Sequence, residues 1–253
     1  MDEKKILINN LEINYKTAGE GKSLLVLHGW GGSSDTWIEV QEILSKQGYK
    51  TICPDLPGFG KSQIPAYAWD LDDYCDFIES FIFSLNLEKF YLLGHSFGGA
   101  LAVKCGLKFP QKIEKLFLID AACFRRAKIR KRIFFIIAKI LKIFSFLPFY
   151  SQAKKAFYKF MVGRSDYPYA EGIMKDIYLK IIREDIGDAL EQIKIPTIII
   201  WGEKDRTTPL KQAYLVKEKI YQAKLEIIPD VGHSPHRDTP EILAEKILEN
   251  LNH

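Results

Sequence analysis

Apolar residues recur along the chain in two rhythms. Short runs rich in Leu, Ile and Val lie at Lys4–Asn9, Glu12–Thr17, Leu24–His28, Lys50–Cys53, Lys89–Leu93, Leu116–Ile119, Thr197–Trp201 and Lys224–Ile228 and read as strands. Between them, Ser34–Gln47, Leu71–Leu85, Ser96–Phe109, Leu210–Ile220 and Pro240–Asn250 have helical spacing, several behind Ser, Thr or Asp capping candidates. Such alternation predicts a mostly parallel sheet covered by helices on both faces. The first two strands are too close for a helical crossover, so they are expected to pair as an antiparallel hairpin at one edge. The alternation breaks between Ile119 and Ile195, where helix-like, basic and aromatic sequence intervenes. A structureless loop of that length is rare in a compact domain, so this segment reads as an inserted unit.

Composition narrows the class without deciding it. The 253 residues, 47% hydrophobic and 27% charged, suit one α/β domain with one large core. Cys53, Cys75, Cys105 and Cys123 are widely spaced in apolar contexts and read as reduced core thiols of a cytoplasmic protein. No signal-peptide pattern opens the chain. The most lipophilic stretch, Ile133–Phe149, has 17 residues interrupted by Lys139, Lys142 and Pro148. That falls short of the roughly 20 apolar residues a membrane-spanning helix needs.

Candidate chemistry gathers at strand ends. In Tyr91–Leu101, "YLLGHSFGGAL", an apolar run breaks at Gly94-His95-Ser96-Phe97-Gly98-Gly99 and resumes as a helix. A sharp strand-to-helix turn strains its central residue and tolerates only small neighbours, which G-x-S-x-G supplies. A serine hydroxyl needs a base to take its proton, and a carboxylate to orient that base. Of the five histidines, His233 follows the last long strand on the same expected sheet edge as Ser96. Its rival His236, three residues on, is expected at the rim as a solvated or packing side chain; His28, His95 and His253 fit the role less well. Asp205 in "IIIWGEKDRTTP" is the first-choice carboxylate, with a helix-capping role, and with Glu203 and Asp120, as alternatives. The chain order Ser96, Asp205, His233 is the order expected of a triad on this topology. "LVLHGWGGSS" offers the Trp30 N–H as one oxyanion donor, with the Phe97 N–H as its partner.

These motifs resemble those of the α/β-hydrolase fold superfamily, in particular its small, cofactor-free serine hydrolases of the esterase and C–C hydrolase type. "HGWGG" at His28–Gly32 is similar to the family's oxyanion motif and "DLPGFGKS" at Asp55–Ser62 to its loop after the fourth strand. "GHSFGG" is similar to the nucleophile elbow, "WGEKDRTTP" to the acid loop and "GHSPHRDTP" to the histidine loop. The resemblance implies an eight-stranded sheet with a helical cap after strand 6: a core at 1–120 and 189–253, and a cap at 121–188. It implies neither cofactor nor metal. Ser96 in place of Asp disfavours haloalkane dehalogenase and epoxide hydrolase activity. His95 and Ser234 stand where C–C hydrolases usually carry Asn and Trp. The expected substrate is therefore an ester, lactone or thioester with a lipophilic acyl group. A C–C hydrolase and a non-catalytic ligand receptor on the same fold are the alternatives.

Charge adds one further expectation. The net charge of +4 hides twelve Lys or Arg and no acid between Ala121 and Ser165, so the rest of the chain is net acidic. The first reading is a cap helix with a solvated basic stripe. Docking on an anionic membrane surface, or steering of anionic substrates, are sharper alternatives. Nucleic-acid binding is not expected, since no recognised fold or aromatic platform accompanies the charge. A merely solvated stripe predicts no salt-sensitive preference for anionic over neutral vesicles in cosedimentation, whereas membrane docking requires one.

Overall fold

A computed structural model describes residues 1–124 and 171–251. Eight strands form one sheet: β1 (Asp2–Ile8), β2 (Leu11–Ala18), β3 (Lys22–Leu27), β4 (Tyr49–Pro54), β5 (Phe90–His95), β6 (Ile113–Ile119), β7 (Thr197–Gly202) and β8 (Lys224–Ile228), in the order β1-β2-β4-β3-β5-β6-β7-β8. β1 pairs antiparallel with β2 and β2 with β4, and every later pairing is parallel. The edge hairpin turns at Asn9 and Asn10, both at positive φ (50° and 66°). That geometry matches the strand twist, and asparagine tolerates it better than most residues. The helices are α1 (Ile38–Lys46), α2 (Leu71–Ser84), α3 (Phe97–Lys108), α4 (Gly172–Ile181), α5 (Lys211–Lys219), α6 (Pro235–Asp238) and α7 (Pro240–Leu251). Ser34–Trp37, expected as the first turn of α1, is instead a 3₁₀ turn.

β5 and β7 are buried along their whole length, and β3 and β6 along their C-terminal halves, because both sheet faces are covered there. Leu25, Leu27, Leu92, Leu116, Leu118, Ile199 and Trp201 pack into one cluster with α2, α3 and α5. Their alternates Leu24, Val26, Tyr91, Leu93, Phe117, Ile119, Ile198 and Ile200 pack into a second with α1 and α7. α2 shows how its own sequence sets this arrangement. Asp70 and Asp73 form a reciprocal capping box, and Leu71, Tyr74, Cys75, Phe77, Ile78, Phe81 and Ile82 form one buried face. Burying each of the large apolar side chains there contributes about 1.5–3 kcal/mol. All four cysteines are buried free thiols, as their apolar contexts suggest.

The return from the insertion is α4, whose Ile177 and Ile181 join the first cluster. Residues 125–170, which hold most of the expected cap and its basic stripe, lie outside the described residues, as does His253. Among the described residues no helix is long and apolar enough to cross a membrane.

The parallel topology puts the C-terminal tips of β3, β5, β6, β7 and β8 along one edge of the sheet, and close contact there depends on glycine. A Cβ on Gly98 would sit 2.2 Å from the Leu27 carbonyl oxygen, and one on Gly94 would sit 2.3 Å from that of Gly98. Both obstacles are backbone. Gly98→Ala is therefore expected to destabilise the fold by about 1–3 kcal/mol, read as a lower urea midpoint at unchanged m-value.

Candidate active site

Ser96 sits between β5 and α3 at φ 51° and ψ −113°, a left-handed conformation costly for a side chain with a Cβ. Its main chain is held on both sides. The Ser96 N–H donates to the Ile119 carbonyl (3.0 Å), and its own carbonyl accepts from Ala122 (2.9 Å), Gly99 (3.0 Å) and Ala100 (3.2 Å). The hydroxyl thus projects from the elbow toward the loop after β8.

His233 comes from that loop. Its Nε2 lies 2.9 Å from Ser96 Oγ and its Nδ1 lies 2.7 Å from Asp205 Oδ2. Because an ionised carboxylate only accepts, Nδ1 carries the proton and Nε2 is free to accept from the serine. The Asp205 side chain is fully buried and that of His233 is 21% exposed. Burial by itself would raise the Asp205 pKa. Hydrogen bonds from His233 and Thr208 outweigh it, and the net shift is downward. Asp205 Oδ1 also accepts from the Thr207 and Thr208 N–H groups at 2.7 and 3.0 Å. Asp205 thus closes the turn that follows it but does not cap the next helix, because α5 starts at Lys211 behind Leu210 with no side-chain cap.

The other acidic candidates have different partners. Glu203 is exposed and accepts from the Asp230 N–H at 3.0 Å. Asp120 is fully buried, and its Oδ1 accepts from the Gly202 N–H at 2.9 Å.

His236 is a packing side chain, one of the two roles expected of it, but it is buried rather than at the rim. It is 5% exposed, with its ring stacked on Trp37 at 4.6 Å and 8°. The four-residue helix α6 turns it inward while Arg237 and Asp238 stay outside. Burial, and then the charge of Arg237, lowers its pKa from 6.5 to about 3. His95 is also buried, and burial, followed by repulsion from His236 and His233, holds its pKa well below 6.5. A neutral His95 donates from Nε2 to the His233 carbonyl at 2.7 Å, tying the histidine loop to the elbow. His28 performs a similar task in the oxyanion loop. Its Nε2 accepts from the Leu56 N–H (2.9 Å), so its Nδ1–H donates to the Gly29 carbonyl (2.8 Å).

Trp30 occupies the second position of a turn closed by the Gly32 N–H to the Gly29 carbonyl, with Gly31 at φ 71° in third place. In such a type II turn the N–H of the second residue takes no part in the closing bond. Phe97 is the first residue of α3, so its N–H has no acceptor within the helix. The Trp30 ring packs edge-on against Phe59, Phe97 and Tyr178 at 4.9, 5.8 and 5.0 Å. Trp30, Ser96 and His233 line a common cavity of about 260 Å³ together with Thr36, Thr207 and Arg237.

Three supporting residues escaped the sequence reading. Asp55 accepts from the Ser34 N–H (2.6 Å), the Lys61 N–H (2.9 Å) and Asn14 Nδ2 (2.9 Å), binding the loop after β4 to the oxyanion loop. Burial opposes its charge, but those donors lower its pKa overall. Thr208 Oγ1 donates to Asp205 Oδ2 at 2.6 Å, a partnership hinted at by the Asp-x-x-Thr spacing. The third is His95, which sequence alone presents only as a neighbour of Ser96.

A profile of the alpha/beta hydrolase fold matches residues 22–131 and 144–240. Lipase 1 of Psychrobacter immobilis is 31% identical over 230 residues, covering 85% of this chain and 72% of that protein. The 2-hydroxy-6-oxo-6-phenylhexa-2,4-dienoate hydrolase of Burkholderia cepacia is 24% identical over 253 residues, with coverages of 89% and 86%. The solved esterase EaEST of Exiguobacterium antarcticum superposes with a TM-score of 0.77 at 24% identity, covering 98% of this chain and 99% of its own. The chain belongs to the α/β-hydrolase fold family, and its relatives support hydrolase activity on this fold.

The depressed His236 pKa carries a definite sign. The folded state keeps the ring neutral while the unfolded chain protonates below pH 6.5, so stability is lost as pH falls from 6.5 toward about 3. His236→Phe, which can keep the stack on Trp37, is expected to flatten that loss relative to the parent in urea titrations across this range.

Proposed function

We propose that the chain is a serine hydrolase of carboxylic esters, extending to lactones or thioesters, with Ser96, His233 and Asp205 as its catalytic triad. The observation that carries this reading is the continuous line of contacts from Ser96 Oγ to His233 Nε2 (2.9 Å) and from His233 Nδ1 to Asp205 (2.7 Å). Ser96 Oγ attacks the acyl carbon as His233 Nε2 takes its proton, and the imidazolium is held by Asp205. The Trp30 and Phe97 N–H groups receive the developing oxyanion, each worth on the order of 3 kcal/mol. Collapse expels the alcohol with the proton from His233, and water then attacks the acyl-enzyme by the same route in reverse.

The aromatic contacts of Trp30 with Phe59, Phe97 and Tyr178 support a lipophilic acyl group on that side of the site. Residues 121–188 are assigned as the cap over it. The Burkholderia relative keeps C–C hydrolysis as the second reading. Against that reading, His95 here is buried between the elbow and the histidine loop and is committed to the His233 carbonyl. The triad contacts likewise argue against a receptor without catalysis.

A fluorophosphonate probe is expected to label the parent protein and not Ser96→Ala; equal labelling of the two sinks the assignment of Ser96. On p-nitrophenyl esters, Ser96→Ala should lose on the order of 10⁴-fold or more in kcat, and Asp205→Asn about 10⁴-fold. Medium-chain acyl esters should be the best substrates of the series, and an optimum at acetate would contradict the lipophilic pocket.

A further inference from the structure

Asp120 is the buried titratable group at the site for which the triad has no role. It directly follows β6 at φ 44°, a strained conformation for a non-glycine residue, and it is 0% exposed. Its main chain is fixed by an N–H bond to the Ile200 carbonyl (3.0 Å), and its own carbonyl oxygen lies 3.0 Å from Thr208 Oγ1. That same Thr208 hydroxyl lies 2.6 Å from Asp205 Oδ2. Asp120 Oδ1 accepts from the Gly202 N–H (2.9 Å), while no donor among the described residues reaches its buried Oδ2.

An anionic oxygen so placed would be a desolvated charge without compensation. A hydroxyl there has an acceptor at hand in the Asp205 side chain, which lies within hydrogen-bond reach of the Asp120 side chain. The titratable groups facing Asp120 are Asp205 from the loop after β7, His233 from the loop after β8, and His95 from the end of β5. One ligating atom each of Asp120, His95 and His233 lie within 4.8 Å of one another. Burial, followed by the charge of Asp205, drives the Asp120 pKa well above the usual carboxylate range.

We infer that Asp120 is kept as a neutral carboxylic acid whose Oδ2–H donates to Asp205, making it a positioning residue for the triad. The inference rests on the triad reading above. Two ionised carboxylates beside His233 would set two negative charges against the single positive charge of an imidazolium. One ionised and one neutral carboxyl leave a single negative charge to match the imidazolium of the transition state. The shared proton also orients Asp205, whose other donors are Thr207, Thr208 and His233.

The test compares Asp120→Asn and Asp120→Ala with the parent protein on a p-nitrophenyl ester across pH, alongside infrared difference spectra. Asn keeps an acceptor for Gly202 and an N–H donor for Asp205 without adding or removing charge from a neutral acid. Asp120→Asn should hold kcat/KM within about threefold of the parent, with the acid limb of its pH profile unmoved. Asp120→Ala should lose about 10- to 100-fold, the effect of removing a hydrogen bond to a charged acceptor. The parent should show a protonated-carboxyl C=O stretch at neutral pH that is absent from Asp120→Asn. An acid limb lowered by about 1–3 units in Asp120→Asn would mean that a negative charge had been removed, overturning the inference. So would the absence of that infrared band. Equal loss in both variants would overturn the positioning role. The spectrum needs no turnover, so it tests Asp120 even if the probe experiment fails for Ser96.

Discussion

The close approach of α3 to the tips of β3 and β5 is the constraint on which the rest of the site depends. A Cβ at Gly98 or Gly94 would meet backbone carbonyl oxygen at 2.2 or 2.3 Å. Without those side chains the helix begins one residue after Ser96, and the serine is forced to φ 51°. Its strain is borne by main-chain bonds to Ile119, Ala122, Gly99 and Ala100, so the cost of the conformation is spread over the sheet edge. Gly29 continues the same logic from the facing loop, where a Cβ would lie 2.7 Å from His95 Nδ1. The oxyanion loop and the elbow can therefore approach closely enough to share one cavity.

Charge is rationed around that elbow. His28, His95 and His236 are all buried, and burial lowers the pKa of each, leaving them neutral hydrogen-bonding or stacking elements. Asp205 remains ionised because donors converge on both of its oxygens. The low local dielectric that penalises the other charges strengthens the bond between Asp205 and His233. Partly exposed His233 is left as the imidazole that reaches both Ser96 and the cavity.

Two further networks keep the loops around Ser96 in place. Asp55 gathers the N–H groups of Ser34 and Lys61 with the Asn14 amide, and His28 bridges Gly29 to Leu56. Together they lock the oxyanion loop to the end of β4. On the other side, His95 ties the His233 carbonyl to the end of β5. The aromatic contacts of Trp30 then connect the oxyanion loop to α4, where the chain returns from the insertion. Through the Trp30–Tyr178 contact, α4 takes part in shaping the neighbourhood of Ser96 as well as the core.

The strands, the helices and the Ser96, Asp205 and His233 loops were legible in the sequence because each has a local cause. Continuous apolar runs follow from burial on both sheet faces, glycines mark the tight elbow, and Ser96, Asp205 and His233 fall just beyond strand ends. The sequence made Asp205 the first choice among the acids near strand ends but left the decision against Glu203 and Asp120 open. That decision depended on which loop faces His233, a matter of strand order and side-chain direction rather than of spacing. His236 turned inward onto Trp37 for the same reason: a single turn of helix sets its face, and Trp37 lies 199 positions earlier in the chain. Local sequence determined the elements and the residue types able to perform chemistry. Only the tertiary structure decided which of them meet, because hydrogen bonds and desolvation act over a few ångströms between parts of the chain far apart in sequence.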